Sequence, residues 1–326
     1  MTNRTVARAA PKGKPEYLKQ VKQGLRAAGL QAASKVMPDD GERSKTLAQA
    51  GRLCDRMLRA GMDRGSVLIA LGGGVITDLA GFAAAIYMRG IAWIAVPTSL
   101  LAQVDASVGG KTAVNHPECK NMIGAFHQPA AVLCDTDTLA TLPDEELRTG
   151  VAEVVKHAVI RDADLFALLE AQADAILARD PAVLETIVAR NVRIKAEVVM
   201  ADERESDLRR ILNYGHTIGH ALESMLQVRH GRAVALGMVA EARIALGRGL
   251  IGGAVADRQA RLLGRFGLPT RLADAPDVDA CLLLVKHDKK AVAGRHHVVL
   301  PTALGRVEVF ADVTDREICE AIAELK

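Results

Sequence analysis

Four polar side chains recur at helical spacing between Asp207 and Leu226: Arg209, Asn213, His216 and His220, separated by four, three and four residues. At about 100° per residue they fall on one narrow arc of a helix. Leu208, Ile211, Leu212, Ile218, Leu222 and Met225 take the rest of its surface. A helix so widely apolar is largely buried, which turns its polar stripe toward a closed site where each group needs a partner or a ligand. A solvated face would carry Lys and Glu, and this stripe has neither. His216 and His220 stand i, i+4, a spacing that suits shared metal coordination. The segment 216–220, HTIGH, nevertheless lacks the Glu of a zinc-protease HExxH. His230 follows across a loop, and upstream Glu153 and Lys156 share a helical face at i, i+3. One Glu and two His with an open position would make a catalytic zinc arrangement, since structural sites are normally closed with Cys. Spacing leaves open which two histidines bind.

Two glycine turns supply a second kind of chemistry. Gly72-Gly73-Gly74 follows an apolar run and leads through Val75, Ile76, Thr77 and Asp78 into the apolar stretch Leu79–Met88. Glycines there let backbone N–H groups approach a phosphate at a helix N-terminus. Thr77 stands where GxGxxG has its last glycine, so a tight strand-to-helix turn is an equal reading. Ser107–Thr112 resembles a phosphate-binding P-loop, but Asp105 occupies the position of its first glycine and the match fails. What remains is a Gly-Gly-Lys turn at Lys111 with Asp105 close by in sequence and the pair Lys120-Asn121 downstream. That set suits a phosphorylated or polyhydroxylated small molecule.

The elements that must hold these residues fall into two halves. Leu18–Leu30 and Leu47–Met62 read as helices, and Ser66–Leu71, Ile91–Val96 and Ala131–Cys134 as buried strands. Strands separated by helices are βαβ units around a parallel sheet. After Pro143 the pattern becomes helical as far as Gly267, which places an α/β domain over residues 1–143 and an all-α domain over 144–326. A length of 326 residues suits two domains. Lys plus Arg, 42, nearly balances Asp plus Glu, 39, so no polyanionic partner is implied. Aromatic residues at 3% leave too few stacking platforms for single-stranded nucleic acid. The longest apolar run, Leu79–Met88, is shorter than the roughly 18 residues of a bilayer span. Five cysteines without a CxxC pair, and a start that lacks an apolar signal segment, are the pattern of a cytoplasmic enzyme.

Taken together, several segments resemble 3-dehydroquinate synthase, a sugar-phosphate cyclase of the shikimate pathway. They are Gly72–Phe82 (GGGVITDLAGF), Tyr87–Gly90 (YMRG), Val96–Pro129, Ala152–Ile160 (AEVVKHAVI), Lys195–Glu205, Arg209–Glu223, His230–Met238 (HGRAVALGM) and Asp288–Gly294 (DKKAVAG). The resemblance implies an NAD-binding α/β domain, a helical domain and an active site between them, in a homodimer with one zinc or cobalt ion. It implies Glu153, His216 and His230 as metal ligands, leaving His220 as a catalytic group. It implies an NAD site of Asp40, Glu42, Lys45, Gly74, Val75, Ile76, Thr77, Asp78, Thr98, Ser99, Lys111, Lys120, Thr138 and Thr141. The implied substrate shell is Asp105, Lys111, Asn121, Lys156, Lys195, Arg209, Asn213, His220 and the pair Lys289-Lys290, with Arg89 reaching across the dimer to the substrate phosphate.

The implied reaction converts 3-deoxy-D-arabino-heptulosonate 7-phosphate to 3-dehydroquinate and phosphate. Transient oxidation by NAD acidifies a C–H bond, phosphate is eliminated, the ketone is reduced again and an intramolecular aldol closes the ring. NAD is recycled, so the enzyme is a carbon–oxygen lyase. The chain departs from the family pattern at Thr77 (usually Gly), Ser99 (usually Thr), Arg232 (usually Glu) and in the 14-residue step from His216 to His230. Met1–Val6 looks like the end of the family's second strand. On that reading the sheet edge is open, and NAD affinity or solubility should improve on upstream extension. Rival readings are another cyclase of the 2-deoxy-scyllo-inosose or amino-dehydroquinate type, a metal-dependent polyol dehydrogenase, and a non-catalytic NAD-binding or dimerisation module.

Overall fold

The apolar run after Ser66 becomes the middle of a sheet in the computed structural model, which describes residues 4–9, 15–37, 41–287 and 297–326. The chain divides into two compact units, Met1–Leu142 and Pro143–Lys326. In the first unit, β1 (Arg4–Ala9), β2 (Gln31–Val36), β3 (Val67–Gly72), β4 (Ala92–Pro97) and β7 (Ala131–Val132) pair in the order β2-β1-β3-β4-β7. All four pairings are parallel, with Ile69 opposite Ile94 and Ala70 opposite Ala95. A parallel sheet is covered on both faces, so strands such as β3 and β4 read as continuous apolar runs, while β1 and β2 are interrupted by polar residues. Residues 68–72 of β3 are all buried.

Helices α1 (Pro15–Ala27), α2 (Leu47–Arg59) and α3 (Gly74–Ile86) connect these strands. Helix α3 is apolar nearly all round, with Leu79, Ala80, Phe82, Ala83 and Ala84 buried, as expected of a helix covered on every side. It packs with α2 over Leu68, Trp93 and Ala95 of the sheet. Its Ile76, Leu79 and Phe82 meet Val114 from an antiparallel hairpin, β5 (Lys111–His116) and β6 (Cys119–Phe126). That hairpin was not read from the sequence. Its outer strand, Cys119–Phe126, is mostly exposed and shows no polar–apolar alternation, and its close pairing depends on Gly124, where a Cβ would lie 2.6 Å from the Thr112 carbonyl oxygen. Lys111 is therefore the first residue of a strand, directly after the Gly109-Gly110 turn.

The second unit is helical: α4 (Asp144–Arg161), α5 (Ala163–Leu177), α6 (Pro181–Ala201), α7 (His216–Leu226), α8 (His230–Gly247), α9 (Gly253–Arg265), α10 (Val278–His287) and α11 (Asp315–Ala323). One antiparallel hairpin, β8 (Val298–Ala303) with β9 (Arg306–Phe310), is added to the all-α scaffold and buries Val298, Val299 and Leu300. Helix α8 lies at the centre, touching α4, α7, α9, α11 and β8.

The segment Asp207–Leu226 is not the single helix that its periodicity suggested. Leu208–Asn213 forms a 3-10 turn, Tyr214 leaves helical geometry, and α7 begins at His216. Gly215 makes the break, with φ +77°, a left-handed value that costs glycine nothing. The segment before it is held by the Asp202 carboxylate, which accepts from the N–H groups of Ser206, Asp207 and Arg209. Arg209 and Asn213 therefore sit on a separate turn from His216 and His220, and the single polar arc does not exist. Among the described residues no helix is long and apolar enough to cross a membrane.

Candidate active site

Three side chains of the second unit converge. Glu153 lies fully buried in α4, and His216 and His230 are the first residues of α7 and α8. One donor atom from each lies within 4.8 Å of the other two. His216 Nε2 is 3.5 Å and His230 Nε2 is 3.3 Å from Glu153 Oε1. The opposite ring nitrogens are occupied: His216 Nδ1 bonds the Tyr214 carbonyl oxygen at 3.0 Å, and His230 Nδ1 bonds Glu223 Oε2 at 2.8 Å. Both acceptors place a proton on Nδ1 and turn each Nε2 toward Glu153. Burial drives the His216 pKa well below its ordinary value, the condition of a neutral ligand. For His230, burial pulls the other way from the hydrogen bonds to Glu153 and Glu223, which prevail and raise it to about 9.

Close helix packing makes this convergence possible. A Cβ at Gly231 would lie 2.5 Å from Cα of Thr149 in α4. A Cβ at Gly237 would collide with the backbone oxygen of Gly215. Since the ligands sit at or beside these crossings, the approach of α8 to α4 and α7 is also the approach of His230 to Glu153 and His216. Glu241 locks the α7 start from α8, its Oε2 accepting the Gly215 N–H at 2.5 Å. The Tyr214 hydroxyl donates to Gln259 Oε1 at 2.8 Å. Burial, reinforced by Glu241, holds that phenol well above its ordinary pKa. The step from His216 to His230 closes through Gln227, whose φ of 51° turns the chain between α7 and α8.

The other polar groups of this unit surround the three. Lys156, one turn along α4, is ion-paired with Glu153 Oε2, both groups buried. The His220 ring lies 5.1 Å from that of His216 and 6.0 Å from that of His230, and it is not among the converging donors. Arg209 is buried, with Nη1 donating to the Glu203 carbonyl oxygen. Asn213 Nδ2 donates to Glu205 Oε1 at 2.8 Å, and Lys195 is buried in α6. Nothing in the structure explains Arg at position 232. Asp202, Tyr214, Glu223 and Glu241 were given no role in the sequence reading, although the first three lie within the family segments. Only Glu223 left a signal there, three residues beyond His220 on the same helical face.

In the first unit, the N-terminus of α3 is open. Its cap residue, Gly73, contributes no side-chain hydrogen bond, so the first N–H groups of the helix keep their affinity for an anion. A Cβ at Gly73 would come 3.3 Å from Ser99 Oγ, and the Thr98 N–H donates to the Gly72 carbonyl oxygen, joining the ends of β3 and β4. Thr77 is buried with its hydroxyl bonded back to the Gly74 carbonyl oxygen, so a threonine in place of glycine is accommodated inside the helix. Val75 is half-buried and Ile76 buried in the same turn.

Buried Lys45 is ion-paired with Asp78 and donates to Asn121 Oδ1 at 2.5 Å. Asn115 Nδ2 ties in Glu42 Oε1 at 2.8 Å. The structure thus groups Asn121, expected near substrate, with the residues expected to hold cofactor. Thr138 is buried against Gln103, and Thr141 meets the Tyr17 hydroxyl at 2.9 Å. Asp105 lies in a π-helical turn, Ala102–Ala106, while Lys111, Lys120 and Arg89 are exposed. Asp40, Lys289 and Lys290 lie outside the described residues.

Comparison with known proteins accounts for both halves. The family models described as 3-dehydroquinate synthase N-terminal and C-terminal match residues 35–149 and 150–291. The chain belongs to the 3-dehydroquinate synthase family. The 3-dehydroquinate synthase of Desulforamulus reducens is 48% identical over 95% of this chain and 87% of its own length. That of Synechococcus sp. is 51% identical over 92% and 83%. Among solved structures, 2-epi-5-epi-valiolone synthase from Streptomyces hygroscopicus, with NAD+ and Zn2+ bound, has a TM-score of 0.92 at 30% identity, covering all of this chain and 91% of its own. A 2-deoxy-scyllo-inosose synthase with carbaglucose-6-phosphate, NAD+ and Co2+ has a TM-score of 0.88 at 28% identity, covering 100% and 92%. A probable glycerol dehydrogenase from Sinorhizobium meliloti, at 16% identity and TM-score 0.69, shares the fold alone. The synthase family segments Ala152–Ile160, Arg209–Glu223 and His230–Met238 are the ones that carry the three converging donors.

Proposed function

We propose that this protein is a 3-dehydroquinate synthase, converting 3-deoxy-D-arabino-heptulosonate 7-phosphate to 3-dehydroquinate and inorganic phosphate with NAD and one divalent metal ion. The observation that carries the reading is the convergence of Glu153, His216 and His230, in a chain about half identical to synthases of that name. A carboxylate and two imidazoles whose Nε2 atoms face it suit zinc or cobalt with positions left for substrate. The open start of α3 suits a cofactor pyrophosphate. When bound, the metal ion supplies a Lewis acid for a substrate hydroxyl and NAD supplies a hydride acceptor restored within each cycle.

The chain's own residues do the rest. Lys156 holds the charge and direction of the Glu153 carboxylate through their buried ion pair. His220, one turn from His216, moves a proton between an imidazole nitrogen and a substrate oxygen. Arg209 and Lys195 supply positive charge to the substrate anions, and Asn213 orients a hydroxyl. The preceding turn fixes Arg209 and Asn213 through Glu203 and Glu205. Asp105, Lys111, Asn121, Lys289 and Lys290 keep the substrate roles that the resemblance implies. Glu42, Lys45, Asp78, Thr98, Ser99, Lys120, Thr138 and Thr141 keep the cofactor roles. Arg89 would serve the partner's substrate in a homodimer, which its exposure favours. A cytoplasmic location is favoured by five free thiols.

The test is phosphate release from the heptulosonate phosphate, with and without NAD and a chelator. Release that needs both NAD and metal, with a flat 340 nm trace, is the expected result. Accumulating NADH would make the protein a dehydrogenase. Absence of phosphate release from this sugar would favour another cyclase, like the structural neighbours.

A further inference from the structure

His216 and His230 face Glu153 in the same way but are anchored differently. His216 leans on a neutral backbone oxygen, that of Tyr214. His230 leans on a carboxylate, Glu223 Oε2, at 2.8 Å. We infer that Glu223 is a positioning residue for His230, fixing its ring and adding a negative charge that sets how tightly the site holds a divalent cation. The inference rests on the metal-binding reading of Glu153, His216 and His230.

Three observations carry it. First, His230 is the most exposed of the three donors, its side chain 31% accessible against 11% for His216 and 0% for Glu153. Packing restrains its ring least, so an anchor matters most there. Second, the Glu223 side chain is only 16% accessible, so water competes weakly for the hydrogen bond. A carboxylate only accepts, which commits Nδ1 as donor and keeps Nε2 for the metal. Third, Glu223 projects from α7, the helix that begins with His216 and also carries His220. One rigid element therefore presents a ligand, a catalytic candidate and the anchor of the other histidine. Glu153 already shares its charge with Lys156, so Glu223 brings a second negative charge to the centre through one imidazole. Partners in this position raise ligand basicity, and their loss weakens metal binding by about 10–100-fold.

The experiment measures cobalt affinity of the full chain by competition with a chromophoric chelator, together with the visible Co2+ absorption spectrum. It compares wild type, Glu223→Gln, Glu223→Ala and His216→Ala. Glu223→Gln keeps an acceptor oxygen and loses the charge; Glu223→Ala loses both. The expected result is no stoichiometric cobalt in His216→Ala, binding about 10–100-fold weaker in Glu223→Ala, and an intermediate value with a shifted spectrum in Glu223→Gln. Excess cobalt should restore turnover to Glu223→Gln. If both Glu223 variants bind within twofold of wild type while His216→Ala loses the metal, the role of Glu223 is overturned and the metal site stands. If His216→Ala binds like wild type, the metal site itself is wrong and the inference falls with it. Should Glu223→Ala fail to fold, the near-isosteric Glu223→Gln decides: affinity and spectrum equal to wild type overturn the proposal.

Discussion

A methyl group added at Gly73 or Gly74 in the first unit would meet the Ser99 hydroxyl at 3.3 Å or the Ala106 methyl at 3.2 Å. Added at Gly231 or Gly237 in the second, it would meet backbone, that of Thr149 or of Gly215. Glycine thus serves opposite purposes at these two places, although Gly81 and Gly124 of the first unit also permit close contact. Around β3 and α3 it keeps a helix N-terminus bare, so that room is left for something that is not protein. Around α7 and α8 it removes side chains so that helices touch, and since His216 and His230 start those helices, their contact assembles the three donors. Binding by vacancy tolerates a small side chain in the scaffold, whereas binding by contact does not.

Gly237→Ala should break this comparison most severely. Backbone has no rotamer to yield, so overpacking should cost about 3 kcal/mol or more and lower Tm by roughly 6–12 °C in a unit of this size. Calorimetry and bound zinc should fall together; an unchanged Tm with full zinc would mean that α7 and α8 can part without consequence. Next come the histidines, which sharpen the second half of the comparison. His216→Ala should lose both metal and turnover, while His220→Ala should keep stoichiometric zinc and lose about 100–10,000-fold in kcat. Metal analysis beside kinetics separates them, and zinc loss in His220→Ala would reassign the ligands.

In the first unit, Gly73→Ala should leave Tm within a few degrees and zinc content unchanged, while weakening NAD binding measured by fluorescence titration. Equal loss of zinc would erase the contrast between the units. The smallest effect is expected from Asp202, which organises the turn before α7. Backbone N–H groups of Asp207 and Ser206 hold its carboxyl far below the ordinary 3.8. A depressed carboxyl stabilises the fold only when ionised, so its contribution is complete above about pH 4 and is lost as pH falls toward the depressed value. Asp202→Asn should therefore remove part of the pH dependence of Tm on the acid side and change little in metal content. An unaltered acid limb would count against the assignment.

Strands β3, β4 and β7 were legible because they are apolar along their length, as in 67–72 and 92–97, whereas β2, Gln31–Val36, was not read as a strand because Gln31, Ser34 and Lys35 interrupt it. The hairpin Lys111–Phe126 was not legible either, since its exposed outer strand lacks polar–apolar alternation and its pairing rests on a close approach at Gly124. The polar arc from Arg209 to His220 failed for a related reason. A wheel calculation assumes helical dihedrals throughout, and Gly215 does not have them. For Asn121 the resemblance implied a substrate role, and the β5–β6 hairpin also brings it to Lys45, a contact that spacing in the sequence does not announce.

What the sequence determined by itself is local and periodic: two runs of elements, a glycine turn before an apolar helix, and His216 and His220 one turn apart on whatever helix they share. It also carries the family segments that contain every converging donor. Spacing left open which donors converge; the resemblance implied them, and the tertiary structure brings them together. Two histidines at i, i+4 are neighbours by helix geometry, yet the donor that converges with His216 and Glu153 within 4.8 Å is His230, from another helix. That choice depends on how closely α4, α7 and α8 approach, which is set by side chains that are absent at Gly231 and Gly237. A missing atom has no periodicity, so only the packed structure shows what it permits.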